Sequence, residues 1–205
     1  MKINTNIAKT LGTMKESNYL SVGINEDVVI VSAKTEISKN NSRFIEVIFE
    51  KDGKTFNHTE WEPTKSPTDV TGDALANKLN SQVTRYDHIL KCFYPEDSDR
   101  QFVGEDYAEY ANWVVSKLNS ANKEIKLRIK LVYNDKGYIA LPKYLRFSFI
   151  EPMSVEKSTM AILSFDKLVK PVVADKEEVS ATNPFATGSS TMNTPMTNPN
   201  DLPFY

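Results

Sequence analysis

Hydrophobic and polar positions alternate most cleanly between residues 124 and 133, where Ile125, Leu127, Ile129, Leu131 and Tyr133 are interleaved with Glu124, Lys126, Arg128, Lys130 and Val132. A period of two marks a strand with one buried face. Residues 28–35 and 44–50 are β-branched and apolar in a similar way, and Asp52-Gly53 between Phe49 and Phe56 is a strong hairpin signal. With the polar turn SKNNS at 38–42, residues 23–63 predict a three-stranded antiparallel meander. Pro63 and Pro67 then take the chain out of the sheet, because proline has no N–H to donate to a ladder.

The period changes after Gly72. Leu75, Leu79, Val83, Tyr86, Leu90 and Phe93 recur at steps of three and four, Asp73 stands where an N-cap belongs, and Pro95 closes the run. A second helix is expected over 106–119, with Tyr107, Tyr110, Ala111, Val114 and Leu118 on one face. After the strand at 124–133, Asn134-Asp135-Lys136-Gly137 predicts a hairpin turn, and 138–141 a return strand stopped or bent at Pro142. The apolar pieces at 145–150 and 160–165 fit either an edge strand or packing on the flank, and residues 1–21 either a short amphipathic helix or an extended arm. Past residue 170 the chain turns to Ser, Thr, Asn and Pro, too polar to bury a core, so a disordered tail is expected.

Three strands, a helical insertion at about 72–119 and two closing strands follow the order of an OB-fold. The predicted class is mainly β with a helical insertion (α+β): a five-stranded OB-fold barrel over 1–170, with two helices between strands three and four. A disordered tail, 171–205, ends in a tip at 201–205.

The formal net charge is −2, which by itself argues against nucleic acid. Its distribution matters more. Residues 171–205 hold one lysine against Asp175, Glu177, Glu178 and Asp201, a net −3, which leaves +1 on the first 170. Cys92 is the only cysteine, so no intrachain disulfide or cysteine cluster is available, and no apolar run is long enough to span a bilayer. A soluble intracellular protein is expected.

The outward positions carry the candidate chemistry. Lys126, Arg128 and Lys130 would form a cationic stripe able to track phosphates, or simply a solvated strand face that deters edge pairing. Phe44 has the parity opposite to Ile45, Val47 and Phe49 and is expected to face outward beside Arg43. Strand three offers Phe56, His58 and Trp61. Phe56 and Trp61 have opposite parity, so at least one of them points into the core, and Phe56 is taken as that one. The last hairpin adds Tyr138, Lys143, Tyr144 and Arg146, and Lys34 lies on strand one. Rings beside cations on a barrel face make a platform on which bases stack while phosphates are neutralised.

The segments VGINEDVVIVSAKTEISKNNSRFIEVIFEKDGKTFNHTEWEP and KLRIKLVYNDKGYIALPKY, covering 20–62 and 124–145, resemble bacteriophage single-stranded DNA-binding proteins through HTEW, the strand order and KGYIALPKY. The resemblance implies an OB-fold that binds single-stranded DNA in replication or recombination, in the cytoplasm of an infected bacterium. The last residues, Asp201, Leu202, Pro203, Phe204 and Tyr205, resemble the Asp-Ile-Pro-Phe ending of bacterial single-stranded DNA-binding proteins, which implies recruitment of replication or recombination partners. Two departures stand out: Asp201 is the only acid in the last ten residues, and Tyr205 follows Phe204.

Enzyme readings lack their parts. His58-Thr59-Glu60 matches the His-x-Glu of zinc deaminases without the Pro-Cys-x-x-Cys, His58 and His88 are the only histidines, and there is no phosphate loop or Gly-x-Ser-x-Gly elbow. A non-enzymatic protein with no cofactor and no metal is expected. Two alternatives to DNA stand: a protein-interaction module of a phage replisome, and an RNA-binding OB-fold protein.

Overall fold

A computed structural model describes residues 17–171. The segment 1–16, the predicted tail apart from Pro171, and the tip at 201–205 lie outside the described residues. The fold is a six-stranded antiparallel sheet with two helices. Strands β1 (Gly23–Ile37), β2 (Arg43–Lys51) and β3 (Lys54–Trp61) form the meander, and helices α1 (Asp73–Lys91) and α2 (Tyr107–Ser120) follow. Strands β4 (Leu127–Tyr133), β5 (Ile139–Ala140) and β6 (Ile150–Pro152) complete the sheet.

β1 is long enough to serve two partners. Its second half pairs β2 from Val29↔Glu50 to Ile37↔Arg43, and its first half pairs β4 from Gly23↔Leu131 to Val28↔Leu127. The register slips between Asn25 and Val28, where Asp27 takes a positive φ of 58°, and such an irregularity bends a strand. The sheet order is β3-β2-β1-β4-β5, with β6 also on β4.

Two expectations are corrected. The strands number six rather than five, and the sheet is open rather than a closed barrel. Both follow from Pro142, which halts the return strand and leaves β5 two residues long, paired only to Val132 and Tyr133. The rest of that β4 edge is taken by β6, through Leu127↔Pro152, Arg128↔Glu151 and Ile129↔Ile150. β5 does not pair with β3 among the described residues, and a gap remains between them.

Inward residues of the sheet, Val28, Ile30, Ile45, Val47, Phe49, Leu127, Ile129 and Leu131, are buried against Tyr86, Ile89 and Leu90 of α1 and Val114 and Leu118 of α2. Phe56 joins this core and Phe44 does not, as parity predicts. α1 departs from its predicted stripe: Leu79 and Val83 are exposed, and Gln82 is buried in their place. Nor is its start capped by Asp73. The Asp69 carboxylate accepts from the N–H groups of Gly72, Ala74 and Leu75 at 3.0, 3.4 and 3.0 Å, supplying an acceptor to amides that have no partner within the helix. Among the described residues no helix is long and apolar enough to cross a membrane.

The β2–β3 turn is a two-residue loop with both central residues at positive φ, Asp52 at 51° and Gly53 at 76°. A Cβ on Gly53 would meet nothing within 4 Å, so the cost of Gly53→Ala is purely a backbone one. We expect about 1–2 kcal/mol of destabilisation, read as a fall of about 2–8 °C in melting temperature.

Candidate nucleic-acid interface

The gap between β3 and β5 is a groove of about 820 Å³. β3 forms one wall, residues 132–144 the other, α1 contributes Lys78, Gln82 and Arg85, and the strap formed by residues 160–167 contributes Phe165, Asp166 and Lys167. The hydrogen bonds of Thr55 with Asn18 and Leu20 show which way alternate residues of β3 turn their main-chain groups. By the same alternation Asn57 and Thr59, beyond that bridge, present theirs to the groove.

Five of the residues singled out in the sequence meet here: His58, Trp61, Tyr138, Lys143 and Tyr144. Trp61 is 52% exposed and stands opposite Phe44 in the β2–β3 register, their ring centres 4.8 Å apart. Arg43 flanks that pair, 3.9 Å from Glu62. Tyr138 projects from the 134–137 turn, 67% exposed, where Asn134 accepts from the N–H groups of Lys136 and Tyr138.

The groove's charges are mostly matched in pairs. Arg85 donates to Glu60, which also meets His58 at 3.0 Å. Burial pushes the Glu60 carboxyl up, but His58 and Arg85 outweigh it and hold the group below its usual range. Asp135 bridges Lys143 at 2.8 Å and Lys167 at 2.6 Å, and these two ammonium groups bring its carboxyl down to about 2. Lys78 has no ion pair among the described residues. His58 is itself buried, sitting 6.3 Å from the Tyr86 ring, so its imidazole belongs to the wall of the groove rather than to its open surface.

The predicted cationic stripe does not exist as an exposed surface. Lys130 is buried, its side chain 0% exposed and paired with Asp166, itself 1% exposed, at 3.1 Å. Arg128 lies between Glu26 and Glu151, and Lys126 meets Asp27 at 3.3 Å. Period two places these side chains correctly off the core, but the strap covers Lys130, β6 on the β4 edge sets Glu151 beside Arg128, and Lys126 stays exposed with its charge met by Asp27. Lys34 also lies away from the groove, paired with Glu36 and Glu46 on the outer face of the sheet.

Sequence reasoning missed Lys78, Arg85, Phe165 and Lys167. A signal existed for the helix: Lys78, Gln82 and Arg85 recur at steps of four and three, a polar stripe on one face of α1. None existed for the strap, which has no regular period.

Among the described residues no three His, Cys, Asp or Glu side chains are grouped to hold a metal, and burial pushes the Cys92 thiol up to about 12, against thiolate chemistry. No protein-family model, curated protein or solved structure matches the chain.

Proposed function

We propose that the β3–β5 groove binds single-stranded DNA irrespective of sequence, on an OB-fold left open at that seam. The protein would coat exposed strands during replication or recombination in an infected bacterium and recruit partners through residues 201–205. One observation carries the reading: Trp61 and Tyr138 are exposed on opposite walls of a groove that also holds Lys78, Arg85, Lys143 and Lys167. Rings offer a face to any base, while Lys143 and Lys167, lightly held by the exposed Asp135, can exchange that partner for phosphates. The near-neutral charge of the body makes that exchange the main electrostatic source of affinity.

The test is a fluorescence titration of a Trp113→Phe protein, in which Trp61 is the only indole, with oligo(dT) of increasing length. Quenching should saturate at a constant number of nucleotides per protein and weaken steeply with salt. Absence of both quenching and strand retention at low salt would reject the reading. Stronger competition by a matched RNA would transfer it to RNA, because the 2′-OH is the group by which a protein tells the two apart.

The Asp135 bridge makes a second expectation. Asp135→Asn releases Lys143 and Lys167, so binding should tighten at low salt. The slope of log affinity against log salt should stay near that of wild type, because the same phosphates are contacted and only the competing carboxylate is gone. Unchanged affinity at low salt would show that neither lysine reaches the strand.

A further inference from the structure

The chain from residue 143 to 147 reads Lys-Tyr-Leu-Arg-Phe. Leu145 packs against the core, while Arg146 and Phe147 are exposed and Lys143 and Tyr144 line the groove. Phe165 of the strap comes up beside them. The three rings form one cluster: Tyr144 and Phe165 have centres 5.2 Å apart at 86°, Tyr144 and Phe147 5.7 Å apart at 85°, and Phe147 and Phe165 lie 6.1 Å apart. Such edge-to-face pairs hold one another in place. They are not burying one another, since Phe165 remains 56% and Phe147 42% exposed.

The anchoring beneath is out of proportion to that burial. Lys130 Nζ donates to the Ala161 carbonyl at 2.6 Å and to Asp166 at 3.1 Å, and lies 5.0 Å from the centre of the Tyr144 ring. Asp166 accepts from the Tyr144 hydroxyl at 2.7 Å and from the Leu163 N–H at 2.8 Å, and the Lys167 carbonyl accepts from the Tyr133 N–H at 2.8 Å. A buried ion pair is poor value as pure stabilisation, since its desolvation roughly cancels its attraction. What this one does is orient. It fixes the residues on both sides of Phe165, so that an exposed ring is held rigidly at the groove rather than folded into the core.

We propose that Tyr144, Phe147 and Phe165 form a second base-stacking platform, continuing the single strand's path beyond Trp61, with Arg146 and Lys143 taking the adjoining phosphates. The occupant is argued from charge as well as shape. Arg146 has no ion pair among the described residues, and the rings are flanked by cations on both sides of Tyr144 in the sequence, the alternation a strand of bases and phosphates requires. This inference rests on the groove being a single-strand site. Lys130 acts in it only as a positioning residue.

Binding of long oligo(dT) to the full chain tests it, with Phe147→Ala, Phe165→Ala and Trp61→Ala in parallel and thermal melts to confirm folding. Each strap-side variant should weaken binding about 5- to 150-fold, with the salt slope unchanged because no charge is lost, and Phe165→Trp should restore affinity. Walking an abasic site along the oligonucleotide should reveal a position where wild type loses affinity and Phe165→Ala loses none. If wild type fails to bind at all, the groove reading itself falls. If wild type binds and Trp61→Ala weakens it while both phenylalanine variants bind normally, this platform alone is refuted, and the patch belongs to a protein contact.

Discussion

Asp166→Ala is expected to destabilise the protein by about 3–5 kcal/mol, because it leaves the fully buried Lys130 ammonium without its counter-charge. In a domain of this size that is a fall of about 6–20 °C in melting temperature. The pair's own net worth is a different quantity, and Lys130→Met combined with Asp166→Asn isolates it. That double variant removes both charges while the Asn oxygen can accept from the Leu163 N–H and its NH2 can donate to the Tyr144 hydroxyl, which replaces the bonds the two carboxylate oxygens accept, so most of the lost stability should return. If Asp166→Ala melts within a degree or two of wild type, the strap is not anchored as described.

The same residue sets a pH dependence. Burial pushes the Asp166 carboxyl up, but the Leu163 N–H, the Tyr144 hydroxyl and Lys130 outweigh it and leave the group below its ordinary value. A carboxyl whose pKa is lower folded than unfolded contributes stability that is fully present above the unfolded value and is lost as pH falls through the folded one. Wild-type stability should therefore drop below roughly pH 4. Lys130→Met with Asp166→Asn should lack that component in urea titrations repeated across pH.

Trp61→Ala should weaken binding strongly. Removing one stacking ring costs about 1–3 kcal/mol per base, roughly 5- to 150-fold in affinity. The melting temperature should barely move, since Trp61 stands at the end of β3 with half its surface in solvent. Trp61→Phe should fall between, and Phe44→Ala should weaken binding less than Trp61→Ala, because Phe44 supports the indole from the next strand. A salt slope equal to that of wild type separates loss of stacking from loss of a phosphate contact. Unchanged oligonucleotide affinity would remove Trp61 from the interface.

Local signals account for much of the architecture. The Asp52-Gly53 turn, the alternation in Ile45, Val47 and Phe49, and the helical spacing of Tyr86 and Leu90 each depend on a few neighbouring residues. Parity likewise sets Phe44 outside and requires one of Phe56 and Trp61 inside, which is Phe56. Where the reading failed, the missing information was long-range. Leu79 and Val83 have core spacing, but at that level α1 turns Gln82 inward, where its amide meets the Trp61 carbonyl and the Tyr107 hydroxyl. Asp73 has the right place for a cap, but Asp69 reaches back from outside the helix. Lys130 has the parity of a solvent residue and is buried by a strap thirty residues further on that has no period to announce it.

By itself, then, the sequence determined the meander, the two inserted helices, the faces of the strands and the aromatic character of the surface around Trp61, because those are consequences of short-range periodicity and turn chemistry. Only the tertiary structure decided which partner each cation meets. The stripe of Lys126, Arg128 and Lys130 faces Asp27, Glu26, Glu151 and Asp166, while the groove gathers Arg85 on the buried Glu60, Lys143 and Lys167 on the exposed Asp135, and Lys78, which has no ion pair among the described residues, from three separate parts of the chain. Whether a charged side chain meets solvent or a counter-ion depends on what packs over it, and the residues that do so here are distant in sequence.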